Sequence, residues 1–166
     1  MNKSIHVAAY HNHAFPLLLA CTDHGICTIT FAAGQSFDAF KQQFDSPAEQ
    51  TCAYLTQLER ELDRYFEGTL SAFKTPIDIT AGTSFQRSVW QALRTIPYGE
   101  VRTYGQIAEQ IGNPRAVRAV GSANAANPLP VLIPCHRVIA AGSRIGGFGA
   151  GVDVKRSLLQ LEGVSI

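Results

Sequence analysis

No stretch of this chain approaches the roughly 18 to 20 consecutive apolar residues that a membrane-spanning helix requires. Its first residues, Met1-Asn2-Lys3-Ser4-Ile5-His6, lack the apolar core and small-residue cleavage site of a secretory signal. The expected location is therefore the cytoplasm. Low-complexity tracts are absent too, and composition is that of an ordinary globular protein, 46% hydrophobic and 16% charged. Cysteines are few: Cys21, Cys27, Cys52 and Cys135. Nothing marks the chain as secreted and it is too large to need disulfide staples, so the four read as free thiols.

The chain also has little net charge, only +1, but that small total hides a division. Residues 1–83 hold 5 basic and 9 acidic side chains, a net of −4, whereas residues 84–166 hold 9 basic and 4 acidic ones, a net of +5. Eight of the nine basic residues in the second half are arginines, which suit phosphate and base contacts better than lysines do. Such a half can meet a polyanion, or simply attract the acidic half.

Patterning divides the chain at a similar place. The apolar runs Phe15–Ala20 and Gly25–Phe31 flank a hairpin-like break, Thr22-Asp23-His24-Gly25. Ser46, Pro47 and Glu49 predict the start of a helix, Leu55, Leu58, Leu62 and Tyr65 or Phe66 its buried face, and Gly68 its stop. Residues 69–83, with Pro76 and the alternating Ile77-Asp78-Ile79-Thr80, predict a last strand or extended connector. The predicted domains are 1–80 and 81–166.

Beyond the boundary the pattern turns helical. Thr83 with Gln86, and Thr103 with Gln106, are capping-box pairs. Gly112-Asn113-Pro114 predicts the end of one short helix and the start of the next, which runs from Arg115 to Asn124. Two short helices joined by a glycine turn make a helix-turn-helix candidate. The second is rich in small residues: Ala116, Ala119, Gly121, Ser122, Ala123, Ala125 and Ala126. A surface shaved this smooth fits a nucleic-acid groove or a tightly packed neighbouring helix, and composition alone favours packing.

The chemistry concentrates at Pro134-Cys135-His136-Arg137-Val138, after the apolar run Val131-Leu132-Ile133. The proline restricts Ile133 to extended conformations, so the run predicts a strand-like segment delivering Cys135 to a bend. A thiol beside an imidazole and a cation is a setting that favours thiolate. Adjacent residues do not face each other well, which points to a bridging water between Cys135 and His136. The imidazole also needs an orienting acid, and Glu162, Glu100, Glu109 and Asp153 are the choices in the basic half.

The string Asn127-Pro-Leu-Pro-Val-Leu-Ile-Pro-Cys-His-Arg-Val138 resembles the signature of the methylated-DNA–protein-cysteine methyltransferases, the O6-alkylguanine-DNA alkyltransferases. Pro97-Tyr-Gly-Glu-Val101 with Tyr104, Gly112-Asn-Pro with Arg118-Ala-Val, Gly146-Gly-Phe-Gly-Ala-Gly151, Lys155 and Leu158-Leu-Gln-Leu-Glu-Gly163 resemble the same family in the same order. The likeness is dense over residues 84–163 and loose before that. It implies an α/β, ribonuclease-H-like N-terminal domain and a mainly helical C-terminal domain with a winged-helix-like helix-turn-helix.

The resemblance further implies direct, stoichiometric and irreversible transfer of alkyl groups from O6-alkylguanine, and O4-methylthymine, in double-stranded DNA to Cys135. By the same resemblance His136 is expected to act as base through water, Glu162 to orient it, Asn127 to fix the local backbone, and Tyr104 to rotate a phosphate and protonate the departing base. Arg118 matches the family's finger that replaces the flipped base. Ala116, Ser122, Ala123 and Asn124 are the expected DNA contacts, while Val138, Phe148 and Gly149 are the expected pocket. Family members often carry Tyr at the position of Phe148 and Ser or Ala at that of Gly149. Some bind zinc, but Cys21, His24 and Cys27, with His6, His11 or His13, fit no strong zinc spacing. No metal or cofactor is expected, and the protein is expected to act as a monomer. The rival expectations are a non-catalytic sensor of alkylated DNA, a helix-turn-helix transcription factor and a thiol hydrolase.

Overall fold

The structure is a computed structural model that describes residues 4–45, 47, 48 and 52–166. The chain forms two compact units, Met1–Ile79 and Thr80–Ile166. Among the described residues no helix is long and apolar enough to cross a membrane.

In the first unit, β1 (His6–Tyr10), β2 (Leu17–Thr22) and β3 (Gly25–Phe31) form an antiparallel sheet with β2 central. Every residue of β2 is buried, as its apolar sequence requires of a strand covered on both faces. The break at Asp23-His24 turns the chain as its residues predict, although β2 starts at Leu17 and Phe15 instead stacks on Phe66, ring centroids 4.8 Å apart. Gly25 is a steric requirement. A Cβ there would lie 2.6 Å from the Pro76 carbonyl, and this close approach lets Ile26 donate to Pro76 and Asp78 donate to Ile26. The segment around Ile77 is thus an extended connector making a single parallel bridge to β3.

A short helix α1 (Phe37–Lys41), capped by Ser36, precedes the long α2 (Ala53–Phe66). Leu55, Leu58, Leu62 and Tyr65 form the buried face of α2, as their spacing predicts, while Phe66 is only half-buried. Its end is also as expected: Gly68, at φ 74°, donates to Tyr65 while Thr69 donates to Arg64, closing a Schellman motif. Its start is not. Ser46 and Glu49 lie outside the described residues, but Ala48 is paired with β1, accepting from Val7 and donating to Ile5. That edge pairing holds the backbone extended, and the helix begins seven residues after Ser46 with Cys52 as its N-cap. The Cys21 thiol is buried, and burial, with neighbouring Cys52 adding to it, pushes its pKa up. Among the described residues no group of three or more His, Cys, Asp or Glu side chains gathers as a metal site would.

In the second unit, α3 (Ser84–Leu93) and α4 (Tyr104–Gln110) both begin with complete capping boxes, Thr83/Gln86 and Thr103/Gln106. Gly112, at φ 74°, ends α4. The next helix, α5 (Val117–Ala125), starts two residues later than its sequence predicts, because Ala116 donates to Asn113 in a turn that takes up Pro114 and Arg115. The helices α3, α4 and α5 pack on one another, and Trp90 of α3 donates its indole N–H to the Ala123 carbonyl at 2.8 Å. The two-residue strands β4 (Arg102–Thr103) and β5 (Val138–Ile139) pair in parallel, and α6 (Val152–Leu161) ends the unit.

One carboxylate fastens the connector of the first unit. Glu61 on α2 accepts from Gln57, from the backbone N–H groups of Lys74 and Thr75, and from the Thr75 hydroxyl at 2.8 Å. Burial pushes its pKa up, but these donors outweigh burial and hold it below the ordinary 4.5. A depressed carboxylate stabilises the fold above its unfolded pKa and stops doing so as pH falls through the folded one. Glu61→Ala is expected to cost about 1–2 kcal/mol in urea unfolding at pH 7. The gap to wild type should close as the titration is carried well below 4.5.

Candidate active site

Cys135 is held at the bottom of a sequence of tight turns. The run before it is not the strand its apolar residues predict. Val131 sits at φ 77°, a left-handed conformation costly for a β-branched residue, and Ile133 donates back to Leu129 at 2.8 Å. Pro134, at φ −78° and ψ 64°, then forms an inverse γ-turn in which Cys135 donates to the Ile133 carbonyl at 2.7 Å. Cys135–Arg137 continue as one 3₁₀ turn leading into β5. Asn127 explains how the turns persist. Its Nδ2 donates to Ile133 at 2.8 Å and its Oδ1 accepts from Leu129 at 3.0 Å, bracing the loop from inside.

The 3₁₀ turn sends three side chains inward, and one carboxylate organises two of them. His136 Nε2 lies 2.8 Å from Glu162 Oε1. Arg137 forks onto the same carboxylate, Nε to Oε2 at 2.8 Å and Nη2 to Oε1 at 2.9 Å, and its Nη1 donates to the Ile96 carbonyl at 2.6 Å. Gly99 also donates to Oε2, at 3.4 Å, while the Tyr98 hydroxyl donates to Leu161 and its ring faces the Arg137 guanidinium. Of the four candidate acids, the fold brings Glu162 to the imidazole. Glu100 pairs with Arg102 and Asp153 with Arg156.

The electrostatics correct one expectation. Cys135 is 4% exposed, and burial pushes its pKa up to about 11, against lowering contributions from the Asn127 side chain, Lys155 and nearby backbone. The resting state is therefore a neutral thiol, and Arg137 is not the cation that acts on it, being consumed by Glu162. Burial likewise lowers the pKa of His136, with Glu162 opposing. A neutral imidazole able to take a proton follows. Lys155 is the cation that lowers Cys135. It is fully buried, donates to Val138 at 2.6 Å and to Gly147 at 3.2 Å, and burial brings its own pKa down to about 8. Sequence reasoning gave it no role, although a signal existed. It is the lone lysine among eight arginines in the basic half, and lysine is the cation that tolerates a shifted pKa.

The remaining expected residues fall on two sides. Tyr104, half-buried at the start of α4, packs beside Gly146, and burial followed by the Cys135 charge raises its pKa. Phe148 is half-buried and Gly149 exposed on the loop that Lys155 fastens at Gly147, and Val138 is buried next to Arg137. On α5, Arg118 and Ser122 are exposed on one face and Ala116 is half-buried at the N-cap. Ala123 and Asn124 turn inward, the latter with its Nδ2 3.4 Å from the Cys135 carbonyl.

Two family profiles match the chain: "6-O-methylguanine DNA methyltransferase, DNA binding domain" over residues 84–164, and "6-O-methylguanine DNA methyltransferase, ribonuclease-like domain" over residues 6–79. The methylated-DNA–protein-cysteine methyltransferase of Methanosarcina acetivorans is 41% identical over 161 residues, covering 96% of this chain and 99% of that one. Among solved structures, O6-methylguanine methyltransferase of Mycobacterium tuberculosis superposes with a TM-score of 0.81 at 39% identity, over 95% of this chain and 92% of the other. A Mycobacterium tuberculosis OGT in complex with DNA superposes with a TM-score of 0.80 at 37% identity, over 95% and 93% of the two chains.

Removing the central carboxylate leaves the Arg137 charge buried and uncompensated. Glu162→Ala is expected to destabilise the second unit by about 3–5 kcal/mol. Denaturant unfolding followed by the fluorescence of Trp90, which lies in that unit, measures it.

Proposed function

The chain belongs to the 6-O-methylguanine-DNA methyltransferase family, and from that premise we propose that Cys135 is the acceptor of an alkyl group taken from O6 of guanine in duplex DNA, and of the methyl group of O4-methylthymine. The chain acts in direct repair, with DNA as its partner. One observation carries the assignment of the nucleophile: the buried thiol is followed directly by an imidazole whose far nitrogen is anchored on Glu162, the arrangement of nucleophile, base and orienter.

In this reading the exposed face of α5 meets the duplex. Arg118 fills the gap left by the extruded nucleotide, and Ser122 lies beside it, whereas the inward-turned Ala123 and Asn124 take no part in DNA contact. A damaged pair costs less to open than an intact one, which supplies part of the selectivity. The flipped base enters beside Phe148 and Val138, with the Gly149 N–H directed to its oxygen. The thiol proton passes through water to neutral His136, sulfur attacks the alkyl carbon, and the bond from that carbon to O6 breaks. Tyr104, whose raised pKa keeps its phenol protonated, gives its proton to the departing base. The product thioether has no leaving route back to thiol, so each chain acts once. The reaction requires no cofactor, and one monomer suffices for one lesion.

Incubation with duplex carrying radiolabelled O6-methylguanine is expected to transfer label to protein up to one equivalent, and Cys135→Ala is expected to abolish it. Binding without label would establish a sensor instead, and repeated turnover a hydrolase. Arg118→Ala should slow repair of duplex at least tenfold, because flipping costs a few kcal/mol. It should leave the reaction with free O6-benzylguanine unchanged, and equal slowing on both substrates would contradict the finger assignment.

A further inference from the structure

Asn124 is the residue whose place in the fold departs furthest from its expected one. It lies near the end of α5, whose outer face carries Arg118, yet it is only 5% exposed and reaches the nucleophile's backbone. Its Nδ2 donates to the Cys135 carbonyl at 3.4 Å, three residues before Asn127 Nδ2 grips the Ile133 carbonyl at 2.8 Å. The two amides hold the chain on either side of Pro134. The backbone carrying Asn124 is itself fixed, since Trp90 donates to the adjacent Ala123 carbonyl. The other end of this amide is the informative one. Asn124 Oδ1 is fully buried and has no hydrogen-bond partner among the described residues. Burying an amide acceptor without a donor is costly, and an apolar side chain of the same size avoids that cost. Nδ2 and Oδ1 share one carbon, so with Nδ2 on the Cys135 carbonyl the unpartnered Oδ1 is buried in the same neighbourhood.

We propose that Asn124 is a positioning residue for the proton transfer that activates Cys135, its donor fixing the nucleophile's carbonyl and its acceptor orienting the water that carries the proton to His136. The inference rests on the reading of Cys135 as nucleophile and His136 as base. In the step, Cys135 Sγ–H gives its proton to the water and the water gives one to His136 Nδ1. A thiolate and an imidazolium result, and the water is regenerated. Asn124 Oδ1 accepts the water's remaining hydrogen throughout and stays neutral. The helix that reads DNA on its outer face thus steadies the reactive thiol with its inner face.

The test follows alkylation of Cys135 by iodoacetamide as a function of pH, read on the Cys135 peptide by mass spectrometry so that the other three thiols do not interfere. Asn124→Leu is expected to slow this reaction about tenfold at pH 7 and to move the rise of the profile upward by about one pH unit. Affinity for undamaged duplex should stay at the wild-type value, because Asn124 does not face DNA. A folded Asn124→Leu with the wild-type pH profile overturns the proposal. So does a wild-type profile accompanied by weakened DNA binding, which returns Asn124 to the outer surface. If leucine prevents folding, the pair Asn124→Ala and Asn124→Ser decides. Serine, which keeps a small polar group, should lie nearer the wild-type profile, and two profiles indistinguishable from wild type contradict the role. This readout needs no DNA. Failure of wild type to capture label from duplex is a separate result, and it strikes the proposed function and not Asn124.

Discussion

A single carboxylate, Glu162, sets the terms for everything around the thiol. It is 4% exposed, caps the end of α6, and receives His136, the Nε/Nη2 edge of the Arg137 guanidinium and the Gly99 N–H. A buried carboxylate without partners would take up a proton and stop acting as an anion. Here Arg137 balances it, so the negative charge is retained where it fixes the imidazole. Arg137 in turn can be buried because Ile96 takes one of its remaining N–H groups and Tyr98 covers its face. Side chains adjacent in sequence to the nucleophile are therefore spent on orienting the base, and the nucleophile's own electrostatics come from elsewhere.

That source is Lys155, together with the backbone and Asn127. Burial dominates at Cys135, and the resting thiol is neutral. A neutral imidazole and a nearby ammonium whose pKa has fallen to about 8 are the complementary half of the arrangement, one able to take the proton and the other able to favour the anion once formed. Lys155 also ties Gly147 to Val138, joining the glycine-rich loop to the strand that follows the nucleophile. A thiolate formed only when needed suits the proposed role of Cys135 as an acceptor that is alkylated once.

Local chemistry was legible in the sequence wherever the deciding interactions are themselves local. The capping boxes at Thr83 and Thr103, the Schellman stop at Gly68 and the stripe of α2 depend on neighbours within a few residues, and each is found where its residues place it. Expectations failed where a distant partner decides. Ser46-Pro47 reads as a helix start, but β1 claims Ala48. Val131-Leu132-Ile133 reads as a strand, but Asn127 folds it into turns. The small residues of α5 are ambiguous between groove and packing because the helix has a buried and an exposed face: Ala123 and Asn124 are buried, while Ser122 is exposed beside Arg118. Which acid meets His136 depends on α6 returning to the 3₁₀ turn, a closure no spacing reveals.

Of the four thiols, the sulfur at position 135 is the one proposed to become covalently alkylated by a DNA lesion. Peptide mass spectrometry after mixing the protein with O6-methylguanine duplex tests it most directly. A gain of one CH2 confined to the peptide containing Cys135 is expected. A peptide that stays unmodified while the lesion persists, or a methyl group found on Cys21, Cys27 or Cys52 instead, would contradict it.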